Sequence, residues 1–408
     1  MGRTIAAMVT GILMLPACAE PSPQSTSITV RDSAGVRIVE LPSISMIEAR
    51  FVVSDSPVYR VGWREDEHDF HNIVAGGLWP DGRAVVGEGG APLQVVMLST
   101  TGAVDAVLGR PGSGPGEFSG IFAVLPLGGD TVVVQDHYAG RATIFAGRDV
   151  VGTVGLGPVV HRILGRDRGG GFLMGPPLAR TPTPTRAYET AWLSVPLLRF
   201  NPATGAADTL AWTDWDQSMA LGGNSPFASG GWASVSDGAF VTGRSDRPEL
   251  RWYESAGRIR HITRWRDEPQ PVTDDVLAAW EVARRARYVE LGLPVNESRI
   301  STIKAVIREP LPFFGFSGSM PGLFGASGLV SDPDGNVWIA SYLPSGDSSP
   351  RQYYIMSPQG QWLGWAEMPE AFRVLAIGRD RVLGVERNAL DVQAVALYEV
   401  QRPRQRPK

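Results

Sequence analysis

The stretch DGRAVVGEG, residues 81–89, joins a two-residue turn to a run of small and β-branched residues. A turn of this kind that leads into a β-branched run predicts a hairpin entering a buried strand. The same arrangement occurs five more times along the chain. The further copies are GGDTVVVQD (128–136), GGGFLMGPP (169–177), DGAFVTGRS (237–245), DGNVWIASY (334–342) and RDRVLGVER (379–387). Self-similarity of this kind indicates a repeat architecture.

A second apolar run follows each copy, and in most cases another glycine turn closes it. These runs are VVMLSTTG (95–102), ATIFAGRD (142–149), LLRFNPATG (197–205), LRWYESAG (250–257), YYIMSPQG (353–360) and AVALYEV (394–400). A further run follows in the first five copies and is missing from the sixth. The repeated unit is therefore predicted to be a four-stranded meander, the blade of a β-propeller. We predict an all-β fold, a six-bladed β-propeller over residues 28–402, with residues 403–408 as a disordered tail.

The incomplete last blade needs a strand from the start of the chain to close the ring. The stretch VYRVG (58–62) lies before the first copy at the same spacing as DAVLG (105–109) lies before the second. The two stretches therefore occupy equivalent positions in the repeat. We therefore expect residues 58–62 to supply the closing strand. A hairpin-like stretch at 28–41 is an alternative for the same edge.

Two intervals between copies are long. The first contains TPTPTR (181–186), whose alternating prolines favour an extended loop. The second contains the one convincing helical pattern, which Thr273 can cap and which Gly292 and Pro294 would end. We predict a short helical insertion between blades 4 and 5, at about residues 273–307.

The start of the chain has the features of an export signal. Residues 1–3 form a short start that is basic through Arg3, and residues 4–15 form an apolar run that is too short to span a bilayer. The following Leu15-Pro16-Ala17-Cys18 resembles the bacterial lipobox, and this resemblance implies a lipid on Cys18. Residues 1–17 are then a lipoprotein signal peptide and residues 18–27 a flexible tether. We expect an exported protein of the bacterial cell envelope, lipid-anchored and facing the periplasm or the surface; cleavage after Ala19 and free secretion is the alternative.

Two stretches resemble a known repeat family. GRPGSGPGEF (109–118) followed by DTVVVQDHYAGRATIF (130–145) looks like an NHL-type blade, and DGNVWIA (334–340) is similar to the signature of that family. Over residues 28–402 the chain resembles the six-bladed propeller lipoproteins of environmental bacteria. The resemblance implies the fold and transfers no activity. Asp136 and Arg141 match the Asp and Arg of the NHL blade, where we expect them to brace a turn.

Composition excludes several classes of protein. The chain has 38 basic and 42 acidic residues, with a formal net charge of −4, so no nucleic-acid partner is expected. Its single cysteine is Cys18, so the folded part has no thiol nucleophile, cysteine metal site or internal disulfide. A G-x-S-x-G elbow is absent. The glycine-rich stretch 109–116 is interrupted by Pro111 and Pro115 and lacks the lysine of a phosphate loop, so it is predicted to join two blades.

Ligands of propellers usually bind at one mouth of the central channel. Near the starts of the channel-lining strands lie His71, Asn72, His161, Arg162 and Arg373. This set is more cationic than acidic, which favours an anionic ligand such as a carboxylate or an acidic sugar over a bare Ca²⁺ ion. In the alternative interpretation, these arginines pair with carboxylates of neighbouring blades.

The densest group of metal-ligand residue types is EDEHDFH (65–71). It could hold a divalent ion, but no helical register converges the side chains, and a solvated acidic loop is the simpler interpretation. We therefore predict no cofactor, with Ca²⁺ or another divalent ion as the alternative.

Three functions fit these observations. The first is a membrane-tethered extracytoplasmic propeller, monomeric and without catalytic residues, that binds a carbohydrate, peptide or protein. The second is a divalent-metal lactonase or lyase that resembles the gluconolactonase and streptogramin-lyase propellers. The third is a structural subunit of an envelope complex.

Overall fold

The computed structural model describes residues 27–157, 161–177, 190–219, 227, 229–290, 292–307, 310–315, 328–344 and 349–403. The predictions for the signal peptide, Cys18, the TPTPTR loop and the last residues of the tail lie outside this part of the chain, as do all but one of the tether residues. Within it, no helix is long and apolar enough to cross a membrane. The fold is all-β.

The described part of the chain begins with four short strands. They are β1 (Thr29–Ser33), β2 (Val36–Leu41), β3 (Arg50–Val53) and β4 (Tyr59–Val61), with a 3-10 helix (Ile44–Met46) between β2 and β3. Strands β1 and β2 form a hairpin.

Successive antiparallel meanders follow. The first contains β5 (Ile73–Leu78), β6 (Ala84–Gly89), β7 (Leu93–Leu98) and β8 (Val104–Leu108). A small parallel pair, β9 (Arg110–Pro111) and β10 (Glu117–Phe118), leads to the next sheet. That sheet contains β11 (Ile121–Pro126), β12 (Thr131–Asp136), β13 (Arg141–Ala146) and β14 (Asp149–Gly155).

The chain continues in the same way. The next sheet contains β15 (His161–Arg166), β16 (Phe172–Pro177), β17 (Thr190–Phe200) and β18 (Ala207–Met219), and the one after it β19 (Gly231–Ser236), β20 (Ala239–Arg244), β21 (Glu249–Tyr253) and β22 (Ile259–Trp265). Two helices follow, α1 (Asp274–Glu290) and α2 (Glu297–Val306). The remaining strands are β23 (Leu329–Ser331), β24 (Val337–Ala340), β25 (Gln352–Met356), β26 (Trp362–Glu367), β27 (Arg373–Ile377), β28 (Arg381–Arg387) and β29 (Gln393–Gln401).

The first strand of each meander, here called an inner strand, contacts the inner strands on both sides. The inner strands are β5, β11, β15, β19, β23 and β27; each contacts the next, and β27 contacts β5. Contacts that run in a closed cycle through successive four-stranded meanders are typical of a β-propeller.

The N-terminal strands join the ring at several points. Strand β4 pairs antiparallel with β29 at Val61↔Val395 and Tyr59↔Leu397, and it supplies the fourth strand of the β27–β28–β29 sheet. The hairpin at 28–41 lies elsewhere, because β2 pairs in parallel with β22 and extends that sheet to six strands. The hairpin therefore joins the edge of the sheet that ends in β22, and not the edge of the last sheet, which the sequence left open as an alternative.

The two ends of the ring differ in their connections. At one end, called the turn end, a tight turn joins each inner strand to the second strand of the same meander. Gly82, Gly129 and Gly335 adopt positive φ in these turns. At the opposite end, called the loop end, each inner strand begins and the second strand of each meander finishes, as the pairs Ile73↔Glu88 and Ile121↔Asp136 illustrate. The segment that contains α1 and α2 connects to this loop end, because it follows β22 and precedes β23.

Apolar side chains fill the spaces between neighbouring sheets. Val85 and Val95 of the first meander pack with Phe118, Val132 and Phe145 of the next. The helices have their own small core, formed by Phe227, Trp280, Ile300 and Ile307. Burial between adjacent sheets is what holds each meander in the ring.

Candidate functional site

At the loop end, the strand pairing is irregular in two neighbouring inner strands, β11 and β15, and this redirects one side chain in each. In β11 the register shifts between Ile121 and Ala123, so Phe122 is the extra residue of a bulge. In β15 it shifts between His161 and Ile163, around Arg162. The Arg162 Cζ atom lies 5.3 Å from the centroid of the Phe122 ring, a cation–π distance. Bulges redirect side chains in this way next to functional sites.

A buried glutamine of the neighbouring sheet holds the backbone around Arg162. Gln135 Nε2 donates to the His161 carbonyl over 2.5 Å, and the Ile163 amide donates to Gln135 Oε1 over 2.8 Å. The His161 ring is itself buried, and its Nδ1 lies 2.8 Å from the Gly175 carbonyl. Burial lowers the pKa of His161, so this imidazole is neutral at pH 7 and donates from Nδ1. The buried His161 ring therefore fixes the start of β15 next to Arg162.

Arg373 links two inner strands at this end of the ring. Arg373, the first residue of β27, donates from Nη2 to the Ile73 carbonyl over 2.7 Å and so bridges β27 and β5. Burial, together with repulsion from Arg387 and from Arg162, lowers the pKa of Arg373 to about 10. With pKa values of about 10, both Arg162 and Arg373 are still protonated at neutral pH.

Arg162 combines partial accessibility with strong desolvation. Part of its surface is accessible, yet protein surrounds the guanidinium so closely that burial lowers its pKa to about 10. A side chain that lines a narrow channel has both properties, because its tip reaches channel water while its surroundings are protein.

The other two sequence-predicted residues have different surroundings. The His71 ring is half exposed, with Nδ1 3.7 Å from the Asp69 carboxylate, and the His71 amide donates to buried Glu88 over 3.1 Å. The Asn72 carbonyl accepts from the Gly89 amide over 2.8 Å. Both residues hold the connection into β5 through their backbone. All five candidates lie at the loop end, at or just before the starts of β5, β15 and β27.

Side chains of the acidic stretch 65–71 contact neighbouring groups of the protein. Glu67 Oε2 accepts from the backbone amides of residues 62–64 over 2.8 to 3.2 Å, and His68 Nε2 lies 3.0 Å from Glu88 Oε2. Among the described residues, no group of three or more His, Cys, Asp or Glu side chains is arranged to hold a metal ion.

An aromatic group next to Arg162 was not predicted from the sequence. The His137 ring lies 5.4 Å from Phe122 and 4.2 Å from Tyr138, measured between ring centroids. Tyr138 is 77% exposed. Together with the cation–π contact of Phe122, these distances form a continuous row from the exposed Tyr138 ring to the desolvated Arg162 guanidinium.

Buried carboxylate contacts hold this aromatic loop in place. Asp136 is fully buried and accepts from the amides of Ser119, Gly120 and Ala139 over 2.8 to 3.1 Å. Arg141 donates separately, to backbone carbonyls of residues 113, 114 and 117. Both residues brace turns, but through the backbone rather than as the pair that the NHL resemblance implied.

Only solved structures match the chain. No protein-family model and no curated protein matches it. A protein from Bacteroides fragilis is 10% identical, with 90% of this chain and 100% of that chain covered and a TM-score of 0.44. A DUF4221 family member from Bacteroides vulgatus is 8% identical, with 86% and 99% covered and a TM-score of 0.44. Virginiamycin B lyase from Staphylococcus aureus is 9% identical, with 88% and 90% covered and a TM-score of 0.36. At these values we transfer neither activity nor ligand.

Proposed function

We propose that the protein is a six-bladed β-propeller that binds an anionic ligand at the loop end, with Arg162 and Arg373 as the anion-binding groups. Six repeated turn-and-strand units, the closed cycle of inner-strand contacts and the pairing of β4 with β29 support this blade number. The helical segment then lies between blades 4 and 5. The likeness to NHL blades at 109–145 and 334–340 is part of the same proposal.

The observation that carries the proposal is the placement of Arg162 and Arg373 at the loop-end starts of β15 and β27, where burial lowers the pKa of each guanidinium group to about 10. Burying two cations near each other costs free energy that an anion between them would offset. A carboxylate suits them because each guanidinium offers a planar fork of donors and forms charge-assisted hydrogen bonds. A divalent cation at the same place would add to the repulsion.

The connections at the loop end also support a binding role. The longest of them, including the segment with α1 and α2, enter or leave the ring there, whereas the turn end has tight turns. Binding residues concentrate on loops that a rigid scaffold positions. We propose that the protein works as a monomeric, non-catalytic receptor.

We further propose that this receptor is exported and anchored to the envelope by a lipid on Cys18. The apolar run at 4–15 and the lipobox-like residues 15–18 support this location. Mass spectrometry of the protein from bacterial membranes tests it: a diacylglyceryl group on Cys18 is expected, and an unmodified chain that starts at Glu20 contradicts it.

Isothermal titration with D-glucuronate as the anionic probe tests the binding site. D-glucose is the neutral probe, and Arg162→Met and Arg373→Met are the variants. Each lost charge-assisted hydrogen bond is worth about 1.5 to 3 kcal/mol, so each variant should weaken glucuronate binding about ten-fold or more. Arg166→Met is the matched control. Arg166 is exposed and ends β15, the strand that also contains Arg162, but it lies at the turn end.

Equal affinity of the control and the two variants for D-glucuronate would refute the proposed site. Binding of Ca²⁺ without binding of D-glucuronate would refute it as well, and would favour the metal-dependent lactonase or lyase alternative.

A further inference from the structure

We infer that the exposed apolar face of helix α1, formed by Val282, Val289 and Leu293, rests on the surface of the bilayer that holds the lipid anchor. The inference rests on the proposed anchoring through Cys18 and specifies which part of the fold meets the membrane. Three features of the molecule support it: the face itself, the place where the tether enters the fold, and the charge of the last turns of α1.

The outer side of α1 presents large apolar side chains. Val282, Val289 and Leu293 are 68%, 73% and 51% exposed. Val282 and Val289 are seven residues apart and so lie on one side of the helix, whereas Trp280 points about 160° away from Val282 into the small helical core. The Leu293 amide donates to the Tyr288 carbonyl over 2.9 Å, which holds Leu293 at the end of the helix. Exposed apolar side chains that share one face mark an interaction surface.

The predicted tether enters the fold beside the start of the helical segment. In β1, the first strand after the tether, Thr29 pairs with Glu40, and Glu40 of β2 pairs with Arg264 near the end of β22. Neighbouring strands lie about 4.8 Å apart, so Thr29 is about 10 Å from Arg264. The segment that leads to α1 follows β22, and its Asp267 carboxylate accepts from the Ile44 amide over 3.3 Å. The tether and the helical segment are therefore attached to the ring at the same corner of the same sheet.

The reach of the tether matches the length of α1. Residues 18–27 form a chain of ten residues, which spans about 17 Å as a flexible coil and about 33 Å when fully extended. Helix α1 has 17 residues and is about 25 Å long. A lipid on Cys18 thus keeps this corner close enough to the bilayer for the outer face of α1 to touch it. Ile28 and Val30, directly after the tether, are 50% and 55% exposed, so the same corner presents further apolar side chains.

The last turns of α1 add positive charge next to the apolar face. Residues 282–293 contain three arginines and one glutamate. Arg285 is paired with Glu281 and Glu297, whereas Arg284 is exposed and its Cζ atom lies 5.0 Å from the centroid of the Tyr288 ring. Arginine and tyrosine side chains suit the headgroup region, and a helix that combines them with apolar residues lies in the plane of an anionic membrane surface.

Quenching by labelled lipids tests this contact. The protein lipidated at Cys18 is reconstituted into phosphatidylethanolamine–phosphatidylglycerol vesicles, with or without a nitroxide-labelled phospholipid. Cys18 is the single cysteine, and its lipidated sulfur is a thioether, so Val282→Cys or Val289→Cys introduces one reactive thiol for an NBD label. At either position the emission should shift to shorter wavelength in vesicles and decrease with the nitroxide lipid. Val151→Cys is the matched control, because Val151 is 60% exposed on β14 of another sheet, and its label should show neither effect.

Flotation of the unaltered protein with the vesicles separates failure of this inference from failure of the proposed anchoring. If the protein floats but the labels at 282 and 289 behave like the control label, the anchoring stands and the membrane contact of α1 is overturned. Cross-linking between two copies of Val282→Cys, with emission that the nitroxide lipid does not change, also overturns it and indicates that a second copy covers the face. If the unaltered protein does not float, the proposed anchoring fails and the inference fails with it.

Discussion

Replacing Tyr59 tests whether the N-terminal strand closes the ring. Tyr59 lies on β4, is 7% exposed, and packs with Leu397 of β29 and Leu98 of β7. A Cβ atom built on Gly102 would lie 2.7 Å from the Tyr59 ring, so the ring also covers the turn between β7 and β8. Tyr59 thus joins the last sheet to the first.

The size of the effect follows from this burial. Truncating a buried aromatic side chain to alanine costs about 3 to 5 kcal/mol of unfolding free energy, through lost transfer energy and the cavity that remains. Unfolding entropy is about 2.1 cal/mol/K per residue, so over roughly 375 folded residues this cost lowers Tm by about 4 to 6 °C.

Two matched variants make the prediction specific. The Tyr59 hydroxyl is buried and has no partner among the described residues, so Tyr59→Phe should keep the stability or raise it by about 1 kcal/mol. Val58, next to it, is 43% exposed, so Val58→Ala should change stability by less than about 0.5 kcal/mol. Urea denaturation followed by tryptophan fluorescence, together with thermal scans, measures all three. If Tyr59→Ala is as stable as Val58→Ala, the proposal that β4 closes the ring is refuted.

Two further predictions concern buried polar groups. His261 stacks on Trp252 at 5.3 Å, and burial lowers its pKa to about 4, so the unfolded chain binds a proton that the folded chain does not between about pH 6.5 and 4. Stability should therefore fall as pH decreases through that window, and His261→Phe should show a shallower fall in pH-dependent urea denaturation; an unchanged slope would contradict the assignment. Gln135→Met should cost about 1 to 3 kcal/mol and also weaken D-glucuronate binding, because it releases the backbone around Arg162. If titrations show unchanged glucuronate affinity while stability falls, Gln135 does not contribute to the binding site.

The strands and their order follow closely from the sequence. GGDTVVVQD at 128–136 contains a glycine turn and a β-branched run, and strand β12 forms there. VYRVG at 58–62 contains β4, which pairs with β29 as its position predicted. Local turn chemistry and side-chain alternation carry this information, because they act within a few residues.

The edge taken by the hairpin at 28–41 could not be predicted. A two-stranded ribbon can join any free sheet edge, and its choice depends on distant side chains. Val39 and Leu41 pack in one cluster with Trp252 and Trp265, which belong to the sheet that β2 joins. No local pattern identifies those partners.

The site was predictable only in part. The position of Arg162 and Arg373 near the starts of inner strands follows from the repeat. The register shift at Arg162 depends on how two strands pair, and the row through His137 and Tyr138 depends on the loop path that Asp136 sets. The one signal in the sequence is that two ring-bearing residues, His137 and Tyr138, directly follow β12.

A crystal structure of the protein with D-glucuronate tests the anion site most directly. The carboxylate is expected within about 2.7 to 3.2 Å of guanidinium nitrogens of both Arg162 and Arg373. A sugar bound away from the loop end, or a carboxylate that contacts neither arginine, would contradict the account.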